Sequence, residues 1–251
     1  FRERRIVNAV VLNKAMLWAG ADISVGDHKG TREVFGLTIN FDVVWSSLIA
    51  AAIVLGLGFL MRRKITDGVP GKLQLFFETV TEQVTELADS AMPEEGRRYV
   101  PLAVCIFLFV LTCNWLEIIP TEHWMVSPTA DVNLPLAMAL TVIVWVHIKS
   151  FKVRGIRGYF AHYAQPYKAL IPINIIEELT KPITLTFRLF GNMFSGGLMV
   201  VVISSLLPIY IFWVGELVWK PFDMFVGAIQ AFIFALLTIM YFGMATTKDG
   251  H

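Results

Sequence analysis

The chain has 251 residues, of which 56% are hydrophobic and only 16% charged, and its mean hydropathy is +0.63. A soluble domain carries roughly 25% charged residues, so the composition excludes an ordinary water-soluble fold and indicates an integral membrane protein. The formal net charge of +1 provides no global attraction to nucleic acid or to an acidic partner, and only the local placement of charge is informative.

The first twenty residues, FRERRIVNAVVLNKAMLWAG, begin basic, but Lys14 interrupts their apolar run. They read as an amphipathic lead segment rather than a cleavable signal. Crossing the hydrocarbon core takes about 20 apolar residues. Runs at 43–61, 100–119 and 134–151 meet that length, and two longer stretches follow at 171–207 and 209–247. Without a repeat or a linker, residues 41–251 read as one membrane-embedded domain behind an N-terminal segment, 1–40.

Between the first two runs, GKLQLFFETVTEQVTELADSAM has helical periodicity. Leu73, Phe76 or Phe77, Val80, Val84, Leu87 and Ala91 form an apolar stripe, and Glu78, Glu82 and Glu86 lie on another face. A helix that only binds anionic lipid is basic on its polar face. This acidic one reads as a cytoplasmic surface helix that meets protein, or as a solvated connector. The fold expected is therefore all-α, with about five membrane passages. The last two are long, tilted helices forming a hairpin, because at 1.5 Å rise per residue they exceed an upright span.

Basic clusters at 62–64, 96–98 and 152–157 fall on one side of this arrangement, whereas the loop TEHWMVSPTADVN has no Lys or Arg. The positive-inside rule then puts the N-terminal segment outside and the C-terminus in the cytoplasm. Cys105 and Cys113 lie inside an apolar run with no ligand spacing near them, so they read as packing residues, and no metal or cofactor is expected.

Polar groups inside the last two segments carry the chemistry. Glu177, Lys181, Thr184, Arg188, Asn192 and Ser195 share one narrow arc of a helix. From Leu189 to Gly215 there is no charged residue, so snorkelling toward the C-terminal side is closed to Arg188. Glu177 is three turns away, about 16 Å at helical rise. A guanidinium does not deprotonate in proteins, and at mid-membrane it needs a counter-charge or a water-filled cavity. Gly191, Gly196 and Gly197 beside it permit close approach of a neighbouring helix or ring.

The last segment repeats the spacing with Glu216, Lys220, Asp223, Gly227 and Gln230, and the second span ends with Asn114 and Glu117. Glu216 reads as a solvated charge in an interfacial turn. Asp223 and Glu117 are either proton-exchanging buried carboxylates or partners of a nearby lysine such as Lys220. Together these groups outline a hydrated route that meets a fixed cation. There is no phosphate loop, metal cluster or nucleophile–histidine pair of an enzyme site. A self-contained ion or anion transporter using Arg188 to bind substrate is the competing reading, although such proteins often carry inverted repeats and none is visible.

LTFRLFGNMFSGGL followed by AIQAFIFALLTIMYF, with NWLEIIP, PTADVNLPLAMAL and INIIEELTKPITL in order, resembles subunit a of the F-type ATP synthase. The resemblance runs from about residue 40 to the end. It implies a non-catalytic stator subunit of the H⁺-transporting complex in a bacterial plasma membrane. Its partners would be a ring of small proton-carrying subunits, a peripheral stalk, the rest of the complex and the bilayer, with no nucleic acid.

By the same resemblance Arg188 faces the ring carboxylates and separates two offset half-channels. The outer channel would use Asn114, Glu117, Asn192, Asp223 and Gln230, and the inner one Glu177. Gly191, Ser195, Gly196 and Gly197 would let the ring approach. Many bacterial relatives have an acid at the position of Gly197 and a histidine at that of Asp223, so the acid is expected to have changed helices while staying in one channel. Proton rather than sodium transport is favoured, since no dense cage of hydroxyls and carbonyls accompanies the acids.

Overall fold

A computed structural model describes residues 31–34, 37–66, 68–91, 96–116, 127–163, 167, 170–207 and 209–246. The basic lead segment, Glu117 and residues 247–251 lie outside the described residues, as do the expectations attached to them.

Before the helices comes one feature that the composition did not reveal, an antiparallel hairpin of β1 (Thr31–Val34) and β2 (Leu37–Asn40). Its register pairs Thr31 with Asn40 and Val34 with Leu37. Every element described after it is helical. Four of the described helices are long and apolar enough to cross a membrane, and a fifth is shorter but equally apolar. The chain is thus an all-α, multi-pass membrane protein with a small hairpin at its N-terminal side.

Helix α1 (Phe41–Lys64) is apolar all round and buries only Val43, Ser46 and Ala50. Trp45, Leu55 and Phe59 remain exposed, as expected of a helix whose solvent is lipid. Arg62, Arg63 and Lys64 close it, where cations suit both the helix dipole and the membrane interface. Helix α2 (Lys72–Ala91) is the amphipathic element. Phe77, Val84 and Ala88 turn inward, while Glu78, Glu82 and Glu86 stay exposed. Phe76 points out, which resolves the ambiguous pair. A turn at Gly96–Arg98 brings the chain back so closely that a side chain on Gly96 would collide with the Ala88 carbonyl. Arg97 there forks onto Asp89, at 3.2 Å from Nε to Oδ1 and 3.1 Å from Nη2 to Oδ2.

Helix α3 (Val100–Leu116) runs antiparallel to the last helix, α6 (Ile209–Thr246). Tyr99 stacks on Phe242 at 4.4 Å at one end, and Asn114 bonds Gly227 at the other. Helix α4 (Asn133–Tyr163) opens with Asp131, whose Oδ1 accepts the Asn133 N–H at 2.9 Å. The other oxygen, Oδ2, accepts 2.8 Å from Asn40, tying the hairpin to this end.

Gly155, at φ 70°, breaks α4. Beyond it the chain folds back, and the Tyr159 ring stacks on Phe151 at 3.9 Å. Eight residues of straight helix would separate those rings by about 12 Å.

Helix α5 (Ile171–Leu206) and α6 contain Pro182 and Pro221 respectively. With 36 and 38 residues, they would measure about 54 and 57 Å if straight, well beyond a hydrocarbon core of about 30 Å, so they run obliquely. Leu185, Leu189 and Met193 of α5 and Phe234, Ile239 and Phe242 of α6 are all but fully buried. This packed core holds the polar groups described next at fixed heights.

Candidate functional site

Two polar clusters lie at opposite ends of the α5–α6 pair. The first is built on the end of α3. Asn114 is buried, and its Nδ2 donates to the Gly227 carbonyl at 3.0 Å. Its Oδ1 accepts 2.8 Å from Thr129, in the turn Pro128–Ala130, and that hydroxyl in turn meets Ser127 Oγ at 2.9 Å. Buried polar groups need such partners. Gly227 is small because a Cβ there would come 3.2 Å from the Asn114 Cβ.

One turn earlier on α6, the half-buried Asp223 carboxylate rests against Gly196 of α5, where a Cβ would lie 2.6 Å from Oδ1. Trp219 Nε1 donates to the Gly196 carbonyl at 3.3 Å. Lys220 is within Coulombic reach of Asp223 but forms no ion pair with it among the described residues. The amide nitrogens of Asn192 and Gln230 are buried with no hydrogen-bond partner among the described residues. Orphaned donors of this kind mark a place for water.

The second cluster joins α4, α5 and α6 at the basic end. Lys181 Nζ donates to Glu178 Oε2 at 2.7 Å, and Glu178 Oε1 lies 3.6 Å from His147 Nε2. The other ring nitrogen, Nδ1, is 3.3 Å from the Tyr159 hydroxyl. Lys181 also sits 5.7 Å from the centroid of Tyr241. Arg154 Nη2 donates to the Met244 carbonyl at 2.9 Å, anchoring the end of α6. These groups line a cavity of about 50 Å³, room for more than one water on polar walls.

Arg188 lies between the clusters. It is exposed on α5, among the exposed Ile183, Thr184 and Phe187, and makes no ion pair or hydrogen bond among the described residues. It is two turns, about 10 Å along the helix axis, from Lys181 and slightly more from Gly196. Its charge reaches the Tyr241 hydroxyl, as does that of Glu178.

The residues singled out from the sequence distribute unevenly over this geometry. Asn114, Asn192, Asp223 and Gln230 gather at the first cluster. Ser195 is exposed and donates to the Asn192 carbonyl at 2.9 Å. Gly191 has open space where a Cβ would stand, whereas Gly196 faces Asp223 and Gly197 is half-buried. Glu177 is exposed and makes no contact with the cavity, and its neighbour Glu178 enters it. His147, Glu178, Tyr159 and Thr129 were missed. Only the i, i+3 spacing of Glu178 and Lys181 was there to find, because a histidine in an apolar run carries no pattern of its own.

Residues 44–243 match the family model described as ATP synthase A chain. The chain belongs to this family. A protein named ATP synthase subunit a from Acidothermus cellulolyticus is 46% identical over 233 residues, which covers 92% of this chain and 85% of that protein. The subunit a of Mycobacterium leprae is 44% identical over 245 residues, covering 93% of this chain and 97% of its own. That of Aliivibrio fischeri is 36% identical over 233 residues, covering 85% and 86%. Membership of the ATP synthase A chain family makes the chain a membrane subunit of that complex and not, by itself, its catalytic part. Bacterial relatives and spanning helices together give a multi-pass protein of the plasma membrane.

Proposed function

We propose that this subunit is the stator side of the membrane motor, forming two offset proton half-channels that meet a rotating ring at Arg188. The reading rests on one observation: a guanidinium with no ion pair among the described residues stands on an exposed apolar face, between two polar clusters at opposite ends of the same helix pair. The outer passage uses Asn114, Asp223, Asn192 and Gln230, with Glu117 assigned to it by the resemblance alone, and the inner passage uses the cavity that Glu178 enters, with Glu177 outside it on the exposed face of the same helix. The ring of small carboxylate-bearing subunits packs on the α5 face around Gly191, Ser195 and Arg188. Gly196 and Gly197 keep the crossing of α5 and α6 close.

Each part has a physical task. A ring carboxylate arriving deprotonated is attracted by Arg188, which keeps its own charge at any working pH. The same fixed cation repels a proton that would pass directly between the passages. Such a leak would dissipate about 2.3 kcal/mol per charge for each 100 mV without rotation. A peripheral stalk and the catalytic head complete the machine that couples this flow to ATP synthesis. The basic end faces the cytoplasm by the positive-inside rule, with the C-terminus inside and the N-terminal segment, 1–40, outside. Residues 41–251 act as one channel domain.

The test is ATP-driven and gradient-driven H⁺ transport in membranes carrying Arg188→Ala, with assembly followed in parallel. Loss of coupled transport in an assembled complex is expected. Normal coupling in that variant would overturn the reading.

A further inference from the structure

Among the described residues, the proton-handling groups that the proposed function uses lie on α3, α5 and α6. Helix α4 contributes a titratable side chain that this mechanism leaves without work. His147 is three-quarters buried, and both its ring nitrogens face acid–base partners: Glu178 Oε1 at 3.6 Å from Nε2 and the Tyr159 hydroxyl at 3.3 Å from Nδ1. It also borders the cavity of about 50 Å³ at the basic end.

We infer that His147 is the proton-exchange group of the inner passage, taking a proton from water in the cavity and releasing it to the cytoplasm. The inference rests on the stator reading above and adds to it a residue of α4. Histidine is the side chain whose ordinary charge change falls near neutral pH, which is what a group shuttling protons at cytoplasmic pH requires. Glu178 is less suited to the task, because Lys181 holds one of its oxygens at 2.7 Å. Its free oxygen instead steadies the imidazolium that forms when His147 is protonated.

The proton count closes. A water-borne proton from the ring side binds a nitrogen of the neutral imidazole, and the same proton leaves to water at the basic end, restoring the neutral ring. The charged and titratable groups facing His147 are Arg154 and Tyr159 from α4, Glu178 and Lys181 from α5, and Tyr241 from α6, with Arg188 acting on Tyr241. At 3.6 Å the Glu178 contact is too long for a direct hydrogen bond, so a water in the cavity is the natural carrier between them.

The contact of Tyr159 with the His147 imidazole depends on a break in the helix. Gly155 reverses the chain at φ 70°, and Phe151 catches the returning Tyr159 ring at 3.9 Å. Without that reversal, no residue twelve positions away could reach His147.

The experiment uses the assembled ATP synthase in inverted membranes. ATP-driven H⁺ pumping is measured against the pH of the side carrying the catalytic head, for wild type, His147→Gln, His147→Ala with and without added imidazole, and Arg188→Ala. With His147→Gln, pumping at neutral pH is expected to fall about tenfold or more, and its pH profile to differ from that of the wild type. Imidazole should restore part of the flux in His147→Ala, which a packing role would not allow. A wild-type pH profile in an assembled His147→Gln complex would overturn the inference. If Arg188→Ala abolishes coupling in the same membranes, the stator reading stands and only the role of His147 fails. Normal pumping by Arg188→Ala sinks the stator reading itself. Should His147→Gln fail to assemble, Tyr159→Phe carries the test: an altered pH profile of pumping supports the inference, and an unchanged one overturns it.

Discussion

The carboxylate of Asp223 on α6 lies directly against the α-carbon of Gly196 on α5. A methyl group at Gly196 would come 2.6 Å from Oδ1 and 3.0 Å from Cγ. Something must then move, and the mobile partner is a half-buried side chain rather than a helix. Gly196→Ala is therefore expected to cost about 1 kcal/mol or less, below the usual 1–3 for overpacking, while displacing the acid from the outer passage. Coupled H⁺ transport should fall in a complex that assembles at normal levels. Because the two residues touch, Gly196→Ala combined with Asp223→Ala should be clearly non-additive in thermal stability. Additive effects would mean that the contact carries nothing.

Asn114 supports a different prediction, about stability. Its side chain is an acceptor for the buried Thr129 hydroxyl at 2.8 Å and a donor to the Gly227 carbonyl at 3.0 Å. Asn114→Ala removes both bonds and leaves the Thr129 hydroxyl with Ser127 Oγ as its remaining partner, at a cost of about 0.5–1.5 kcal/mol for each bond lost. The thermal midpoint of the purified protein in detergent should fall, and Asn114→Ala with Thr129→Val should fall less than the sum of the two single variants. An unchanged midpoint would show that water replaces the amide freely.

The helices were legible because lipid imposes long apolar runs with charged ends. The 171–207 and 209–247 stretches became α5, Ile171–Leu206, and α6, Ile209–Thr246, almost residue for residue. The amphipathic stripe likewise identified the buried face of α2. The site was only partly legible. Spacing along one helix can align Arg188 with Asn192, but it cannot say which of Glu177 and Glu178 faces a cavity, since that depends on where α4 packs. The contact between His147 and Tyr159 needed the reversal at Gly155, and a single glycine in a helical pattern does not announce a positive φ. The small hairpin before α1 was missed because its two four-residue strands are too short to show alternation.

Gly155 makes the reversal of α4 testable. Its φ of 70° with ψ 167° is a backbone conformation open to glycine almost alone, and it costs a residue with a side chain about 1–3 kcal/mol. Gly155→Ala is expected to lower the thermal midpoint and to loosen Tyr159 from Phe151. Cysteines placed at 151 and 159, in a background with Cys105 and Cys113 replaced, should cross-link readily with Gly155 present and poorly with alanine. Equal cross-linking in both would mean that the chain reverses without help from the glycine.

Gln230 separates stability from function. Its Nε2 is buried with no hydrogen-bond partner among the described residues, as is the amide nitrogen of Asn192 on the neighbouring helix. An unsatisfied buried donor weakens a fold, and replacing it with an apolar group of similar size is close to neutral or stabilising. Gln230→Leu should accordingly leave the thermal midpoint unchanged or raise it. The same substitution removes a polar lining from the outer passage and dries it, so coupled H⁺ transport should drop while assembly is intact. A clear fall in the midpoint would instead mean that the amide is bonded in the membrane and holds α6 in place, and the passage would then have to run along another face.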